Sequence, residues 1–259
     1  GLLDRLEVFL GIARRRGILT MPCFFDDCAH SGKQPKAGKQ DDPVPGVHNS
    51  QWTPSPPHAE TTDPAAWPGL ERFVRGVLGA HGRDGRVLCW DLYNEPGNGG
   101  LGERSLPFLR EVFRWGREAR VEQPLTVGIW DGKLKDLNQA SLELSDVVSF
   151  HNYGPLSELQ PQVEELKKRG RPLFCTEYMA RGRGSRFETH LPFFKAEKIA
   201  CYYWGLVNGR TQTQFPWGSP EGATEPDPWF HDIFHGDGTP YKKEEVELIR
   251  GITGRGRIP

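Results

Sequence analysis

The sequence predicts an α/β fold, a (β/α)₈ (TIM) barrel with about six of its eight strands present, and three observations predict it. Short apolar runs rich in β-forming residues alternate with amphipathic stretches along nearly the whole chain, and strand, helix, strand at this rhythm gives a parallel sheet covered by helices. No GxGxxG, GxxxxGKS or GxxxxGKT opens a helix, which removes the main sequence support for an open, nucleotide-binding sheet. Charged and aromatic residues stand directly behind the apolar runs, where barrel strands carry their reactive groups.

The elements follow in order. Leu2, Leu3, Leu6, Phe9, Leu10 and Ala13 recur three or four residues apart, so 1–17 reads as an amphipathic helix with Arg14–Arg16 in its last turn and Gly17 at its end. The first strand, Ile18–Phe25, runs into Asp26 and Asp27. A long loop over 26–66 comes next. Between Gln34 and Pro68 the chain holds eight prolines, a density that forbids long helices and central strands. Loops of this length are usually functional lids or disordered; Trp52 and the polar 46–50 stretch favour an ordered loop over the strand ends.

Leu70, Phe73, Val74, Val77 and Leu78 mark the next helix, and the strand Arg86–Tyr93 leads to Asn94 and Glu95. After a helix carrying Leu109, Val112 and Phe113, Leu125–Trp130 leads to Asp131, and Val147–His151 leads to Tyr153. A helix with Val163 and Leu166 precedes Pro172–Glu177, and the last strand, Ala200–Leu206, contains Trp204. Asp237-Gly238-Thr239-Pro240 reads as a turn into a final helix, Lys242–Arg250. Nothing before Ile18 reads as a strand, so the expectation is that the first two βα units are absent from this chain.

The net charge of −1 over 259 residues argues against nucleic acid or an anionic membrane as partner. No apolar run approaches the roughly 18 residues of a membrane span. Five cysteines without a CxxC pair suggest neither a disulfide scaffold nor zinc. Cys23, Cys89, Cys175 and Cys201 sit in apolar runs and are expected to be small core hydrophobes. The start lacks a signal-peptide pattern but reads like the middle of a domain, so the compartment stays open, an extracytoplasmic one included, and the oligomeric state is unassigned.

Two strand-end carboxyl groups, Glu95 and Glu177, suit one chemistry in particular. Cleaving a glycosidic bond takes two carboxyl groups, one donating a proton to the leaving oxygen, the other acting as nucleophile or as base for water. Asn94 places an amide beside Glu95, where it can hold a sugar hydroxyl, and Pro96 biases the Glu95 backbone towards extended or turn geometry.

Trp90-Asp91-Leu92-Tyr93-Asn94-Glu95-Pro96 resembles the strand-four acid/base motif of the retaining glycoside hydrolases on TIM barrels, in particular the cellulase-like glycoside hydrolase family 5. Leu173-Phe174-Cys175-Thr176-Glu177-Tyr178 resembles that family's strand-seven nucleophile. His151-Asn152-Tyr153 is similar to its strand-six pair, and Tyr202-Tyr203-Trp204 to the strand-eight segment whose tryptophan floors the sugar site. The resemblance covers Ile18 to about Tyr241 and implies one partial catalytic barrel domain over 1–259. It implies hydrolysis of a β-linked, plant-type polysaccharide or oligosaccharide by double displacement, with Glu95 as acid/base and Glu177 as nucleophile. Asn94, His151, Tyr153, Trp204 and Trp130 would then hold a carbohydrate substrate, Tyr153 would donate to Glu177, and no metal or cofactor would be needed. Two departures stand out: no residue matches the family's strand-two arginine, and Phe25-Asp26-Asp27 replaces a histidine of many relatives, leaving Asp26 as a candidate sugar ligand.

Trp52, Trp130, Trp204, Trp217 and Trp229 fall at strand ends or in long loops, where they could stack on sugars or anchor loops, while Trp67, Trp90 and Trp115 read as packing residues. Two other readings stay open. Asp27, His30, Glu95, Asp131, His151 and Glu177 include the ligand types of a metal-dependent TIM-barrel hydrolase or isomerase. A saccharide-binding or inactive fragment is also compatible, since an open six-stranded sheet exposes edges.

Overall fold

The structure, a computed structural model, describes residues 1–30 and 32–254. Its six strands are β1 (Cys23–Asp26), β2 (Trp90–Asn94), β3 (Leu125–Ile129), β4 (Val148–His151), β5 (Leu173–Tyr178) and β6 (Ala200–Tyr203). They lie parallel in a sheet whose order is the chain order, β1-β2-β3-β4-β5-β6. Strands in chain order with helices between them are the arrangement of a (β/α) barrel, so the fold class is that of a partial TIM barrel with six strands among the described residues. The strands are shorter than the apolar runs that mark them. From Ile18 onward the chain joins the sheet fully only at Cys23, Thr20 making an isolated bridge to Val87.

The described chain forms two compact units, one of Gly1–Pro35 and Thr53–Val148, the other of Lys36–Trp52 and the residues from Ser149 on. The first unit holds β1–β3 with helices α1 (Leu2–Arg15), α2 (His58–Thr61), α3 (Trp67–His81), α4 (Leu106–Glu118) and α5 (Lys135–Leu144). Its core joins Phe24 and Phe25 of β1, Trp90, Leu92 and Tyr93 of β2, and Leu125 and Val127 of β3 to the apolar faces of α3 and α4. Phe108 of α4 is a hub, with its ring centre 5.1 Å from Phe25, 5.5 Å from Tyr93, 5.6 Å from Trp67 and 5.9 Å from Trp115. Aromatic rings at these separations add attraction beyond area burial.

Helix α1 departs from expectation. Of the six residues that define its stripe, only Leu10 and Ala13 are buried, and Phe9 is 57% exposed. Leu6 packs partly buried against the same core, and charge ties the helix as well: Arg86 donates to both Glu7 carboxylate oxygens at 2.7 Å and forks onto Asp84. Those donated bonds hold the Asp84 carboxyl well below the usual carboxylate range.

The second unit holds β4 from Ser149 on, β5 and β6, with α6 (Leu156–Lys167), α7 (Phe187–Glu197) and α8 (Lys243–Thr253). Phe150, Leu159, Val163, Cys175, Tyr178, Phe187 and Phe194 are buried. Arg181, just after β5, forks onto Glu245 of α8 at 2.9 and 2.6 Å and donates to the carbonyls of Trp229, His231 and Asp232. The loop segment Lys36–Trp52 is ordered in this unit by polar contacts: Gly46 N donates to Gln212 Oε1 at 2.9 Å, Gln212 Nε2 donates to Val44 O at 2.7 Å, and Arg210 reaches Asp42 at 3.1 Å.

Besides the four-residue α2 inside the 26–66 loop, two longer helices escape the sequence pattern. In α7, Pro192 lies inside an apolar stretch that is not confined to one face, and in α5 only Leu137, Ala140 and Ser141 are buried, too weak a stripe for periodicity to find. Among the cysteines, Cys89 and Cys175 are buried as expected and Cys201 is half-buried, but Cys23 is exposed. Cys23 opens β1, the first strand in the sheet order, directly before Phe24 and Phe25, which are buried in the core. Burial pushes the Cys89 thiol up to about 12 and that of Cys201 up to about 11.

Candidate active site

In the first unit the chemistry gathers at the end of β2. Asn94 closes the strand, and its Nδ2 donates to Asp26 Oδ1 at 3.0 Å. The chain then turns sharply: Glu95 adopts a left-handed φ of 42° and Gly97 one of 86°. A residue with a Cβ held there costs about 1–3 kcal/mol, and such outliers cluster at functional sites. Glu95 is 8% exposed, and its Oε2 accepts from Asn98 Nδ2 at 2.6 Å.

Asp27 lies beneath the turn, fully buried, accepting from Tyr93 Oη at 2.6 Å, Ser105 Oγ at 2.7 Å and the Gly97 amide at 2.8 Å. Desolvation raises its proton affinity, and the three donated bonds pull the other way. Trp130 Nε1 donates to Pro96 O at 3.1 Å, so the indole supports the same turn. Asp26 has its Oδ1 engaged by both Asn94 and the Cys28 amide; it orients the Asn94 amide whether or not it also meets a sugar. Asp27, weighed as a metal ligand, has both oxygens committed to internal donors.

In the second unit the chemistry gathers at the ends of β4, β5 and β6. Glu177, the second-to-last residue of β5, accepts a 2.6 Å hydrogen bond at Oε2 from Tyr153 Oη. The same oxygen lies 3.5 Å from Nδ1 of the buried His151. Tyr153 is held by rings: its centre is 4.9 Å from Trp217 and 5.5 Å from His231, both edge-on. His231 is fully buried, donates from Nδ1 to Met179 O at 2.6 Å, and has its imidazole pushed down to about 3 by burial. It is a neutral wall at any ordinary working pH. Trp204 follows β6 with its amide on Tyr178 O at 3.0 Å, and Trp52 meets it edge-on at 5.2 Å.

The structure thus gathers Asp26, Asn94, Glu95 and Trp130 in one unit and His151, Tyr153, Glu177 and Trp204 in the other. Trp67, Trp90 and Trp115 pack inside the first unit as their positions suggest. Trp229, a candidate sugar platform in the sequence, is buried and stacked on Tyr241 at 4.2 Å, so it anchors a loop, whereas Trp217 is 43% exposed. Asn98, Ser105 and His231 were not singled out by sequence reasoning. Asn98 lies close enough in the chain to Glu95 to be found by a turn argument; the other two come from distant segments and carry no local signal.

No protein-family model matches the chain, and no curated protein matches it. Solved structures do. An endo-β-1,4-glucanase from Xanthomonas axonopodis pv. citri superposes with a TM-score of 0.59 at 15% identity, over 95% of this chain and 77% of its own. A β-glucuronidase from Bifidobacterium dentium gives 0.54 at 18% identity, over 77% of this chain and 35% of its own. An endo-β-1,4-xylanase of glycoside hydrolase family 10 from Gloeophyllum trabeum gives 0.51 at 12% identity, over 81% and 74%. This chain therefore spans about a third of the length of that β-glucuronidase and about three-quarters of the other two. At these identities the likeness establishes the fold.

Proposed function

We propose that this chain is a retaining glycoside hydrolase acting on β-linked saccharides of the cellulose, xylan or mannan type, in the manner of family 5. Glu177, ionised, attacks the anomeric carbon, while Glu95, protonated, gives its proton to the departing oxygen. Glu95 then takes a proton from water as the water releases the sugar from Glu177. Asn94, His151, Tyr153 and Trp204 hold the sugar ring and its hydroxyls, with Trp130 and Asp26 close to the acid/base turn. No metal and no cofactor enters the scheme.

The observation that carries the reading is the short bond from Tyr153 to Glu177 Oε2 beside His151. A strand-end carboxylate given one strong donor and a neighbouring imidazole is held in a fixed orientation, as a nucleophile needs. The motifs around Glu95 and Glu177, and a fold shared with a glucanase and a xylanase, support the same reading.

The test is covalent trapping. Activated 2-deoxy-2-fluoro β-glycosides of glucose, cellobiose, xylobiose and mannobiose, each incubated with the protein, should yield one glycosyl adduct by intact mass. The adduct should map to Glu177 after proteolysis, and the sugar that labels it names the substrate. A label on another residue, or hydrolysis with inversion at the anomeric carbon by NMR, would refute the mechanism.

A further inference from the structure

We infer that Asp27 is a positioning residue for the acid/base Glu95, its buried carboxylate clamping the turn that sets where the Glu95 side chain points. The inference rests on the glycosidase reading above and assigns Asp27 a part in it. The clamp straddles Glu95: Oδ1 takes the hydroxyl of Tyr93, two residues before it, and Oδ2 takes the amide of Gly97, two residues after it, together with Ser105 Oγ. The Asp27 main chain is pinned as well, its amide donating to Asn94 O at 3.3 Å and its carbonyl accepting from His58 Nε2 at 2.9 Å. The clamp is therefore fixed relative to β2, and Gly97 is fixed to the clamp.

A left-handed Glu95 needs such support, because a strained backbone persists only where its surroundings over-determine it. A carboxylate suits the place better than its neutral analogues. Both of its oxygens accept, so it can satisfy a phenol on one side and an amide and a hydroxyl on the other, whereas Asn offers one acceptor and Ala none. Burying an ionisable group in the middle of a core is costly unless it is fully hydrogen-bonded, and here it is. The catalytic consequence follows from geometry: a displacement of about 1 Å at a reacting group costs on the order of 100-fold in rate.

The experiment uses aryl β-glycosides of the sugar that labels Glu177, with 2,4-dinitrophenol as the good leaving group and unsubstituted phenol as the poor one. Phenol must be protonated as it leaves and dinitrophenol need not be, so the pair reads the acid step separately from folding and binding. Glu95→Gln sets the scale, with an expected loss in kcat/KM of roughly 100- to 10,000-fold on the phenyl substrate and a much smaller one on the dinitrophenyl substrate. Asp27→Ala should lose about 10- to 100-fold on the phenyl substrate and less than about threefold on the dinitrophenyl one, and Asp27→Asn should recover part of that loss. If Asp27→Ala does not fold, Tyr93→Phe removes one arm of the clamp, keeps the ring in the core, and should split the two substrates in the same direction. Equal losses on both substrates, or no loss, overturn the inference while leaving Glu95 in its role. Absence of the split in Glu95→Gln, or absence of any labelling sugar, refutes the glycosidase reading and Asp27's part in it together.

Discussion

Replacing Tyr153 by Phe removes one hydroxyl and leaves the ring, still bracketed by Trp217 and His231, in place. The lost bond is a 2.6 Å O–H···O contact to a carboxylate, in the short range of charge-assisted bonds, which contribute about 1.5–3 kcal/mol. At about 1.4 kcal/mol per factor of ten this is roughly 10- to 150-fold on any step that depends on it. His151, 3.5 Å from the same oxygen, can compensate in part and favours the lower end.

The step can be identified from where the charge lies. In the proposed double displacement Glu177 gives up negative charge during attack, so the bond is stronger in the free protein than in that transition state, and its loss does not slow glycosylation. During release the charge returns to Glu177, and the Tyr153 hydroxyl stabilises the departing carboxylate relative to the neutral ester. Tyr153→Phe should therefore lower kcat by about 10- to 150-fold on a dinitrophenyl glycoside while kcat/KM changes less than about threefold and KM falls. Stopped-flow absorbance should show a burst of dinitrophenolate equal to the enzyme concentration, the signature of an accumulating glycosyl-enzyme. Equal falls in kcat and kcat/KM without a burst would refute the reasoning, since the hydroxyl would then serve attack or binding instead of release.

Three further outcomes follow from the same contacts. Glu245→Ala strands Arg181, whose side chain is 2% exposed against 9% for its partner. Breaking a buried pair in this way costs about 3–5 kcal/mol, so calorimetry should record a melting point lower by roughly 6–20 °C, and a shift under about 2 °C would contradict the role. His231 is held neutral, its imidazole near 3 in the folded protein against about 6.5 unfolded. The unfolded chain thus binds the extra proton first, and stability is complete above about pH 6.5 and declines as the pH falls towards 3, by up to about 1.4 kcal/mol per unit. Urea midpoints for the native protein and His231→Phe at pH 7.5 and 4.5 should differ in slope, and matching slopes would count against it. Native titration with a thiol-reactive disulfide should modify Cys23 quickly and leave Cys89 and Cys175 untouched until denaturant is added; fast loss of either buried thiol would contradict their burial.

Much of the fold was legible because its strands are local objects. Val87–Tyr93 and Leu173–Thr176 are mainly apolar runs, as buried parallel strands require, and each is followed within two residues by a glutamate. The residues holding those carboxylates were legible only in part. Tyr153 was within reach of a motif, but Asp27 looked like a loop acid next to Asp26, and only burial beneath the 94–97 turn separates the two. Helix α1 shows the opposite failure: its period is helical and the helix is real, yet periodicity does not reveal how much of the stripe finds a partner, and Phe9 finds none in the core.

The sequence by itself determined the αβ rhythm, the parallel strand class, and the two strand ends that present Glu95 and Glu177, because hydrophobic periodicity and the abrupt change from apolar run to charge are properties of neighbouring residues. Tertiary structure alone decided which groups those carboxylates meet. It placed Tyr153 on Glu177 and the pair of Trp217 and His231 on Tyr153, stacked Trp229 on Tyr241, and put Asp27 under the turn that carries Glu95. Hydrogen-bond and ring contacts are set by how separate segments pack, and a polar side chain in the chain order looks the same whether it faces water, a sugar or the underside of a catalytic turn.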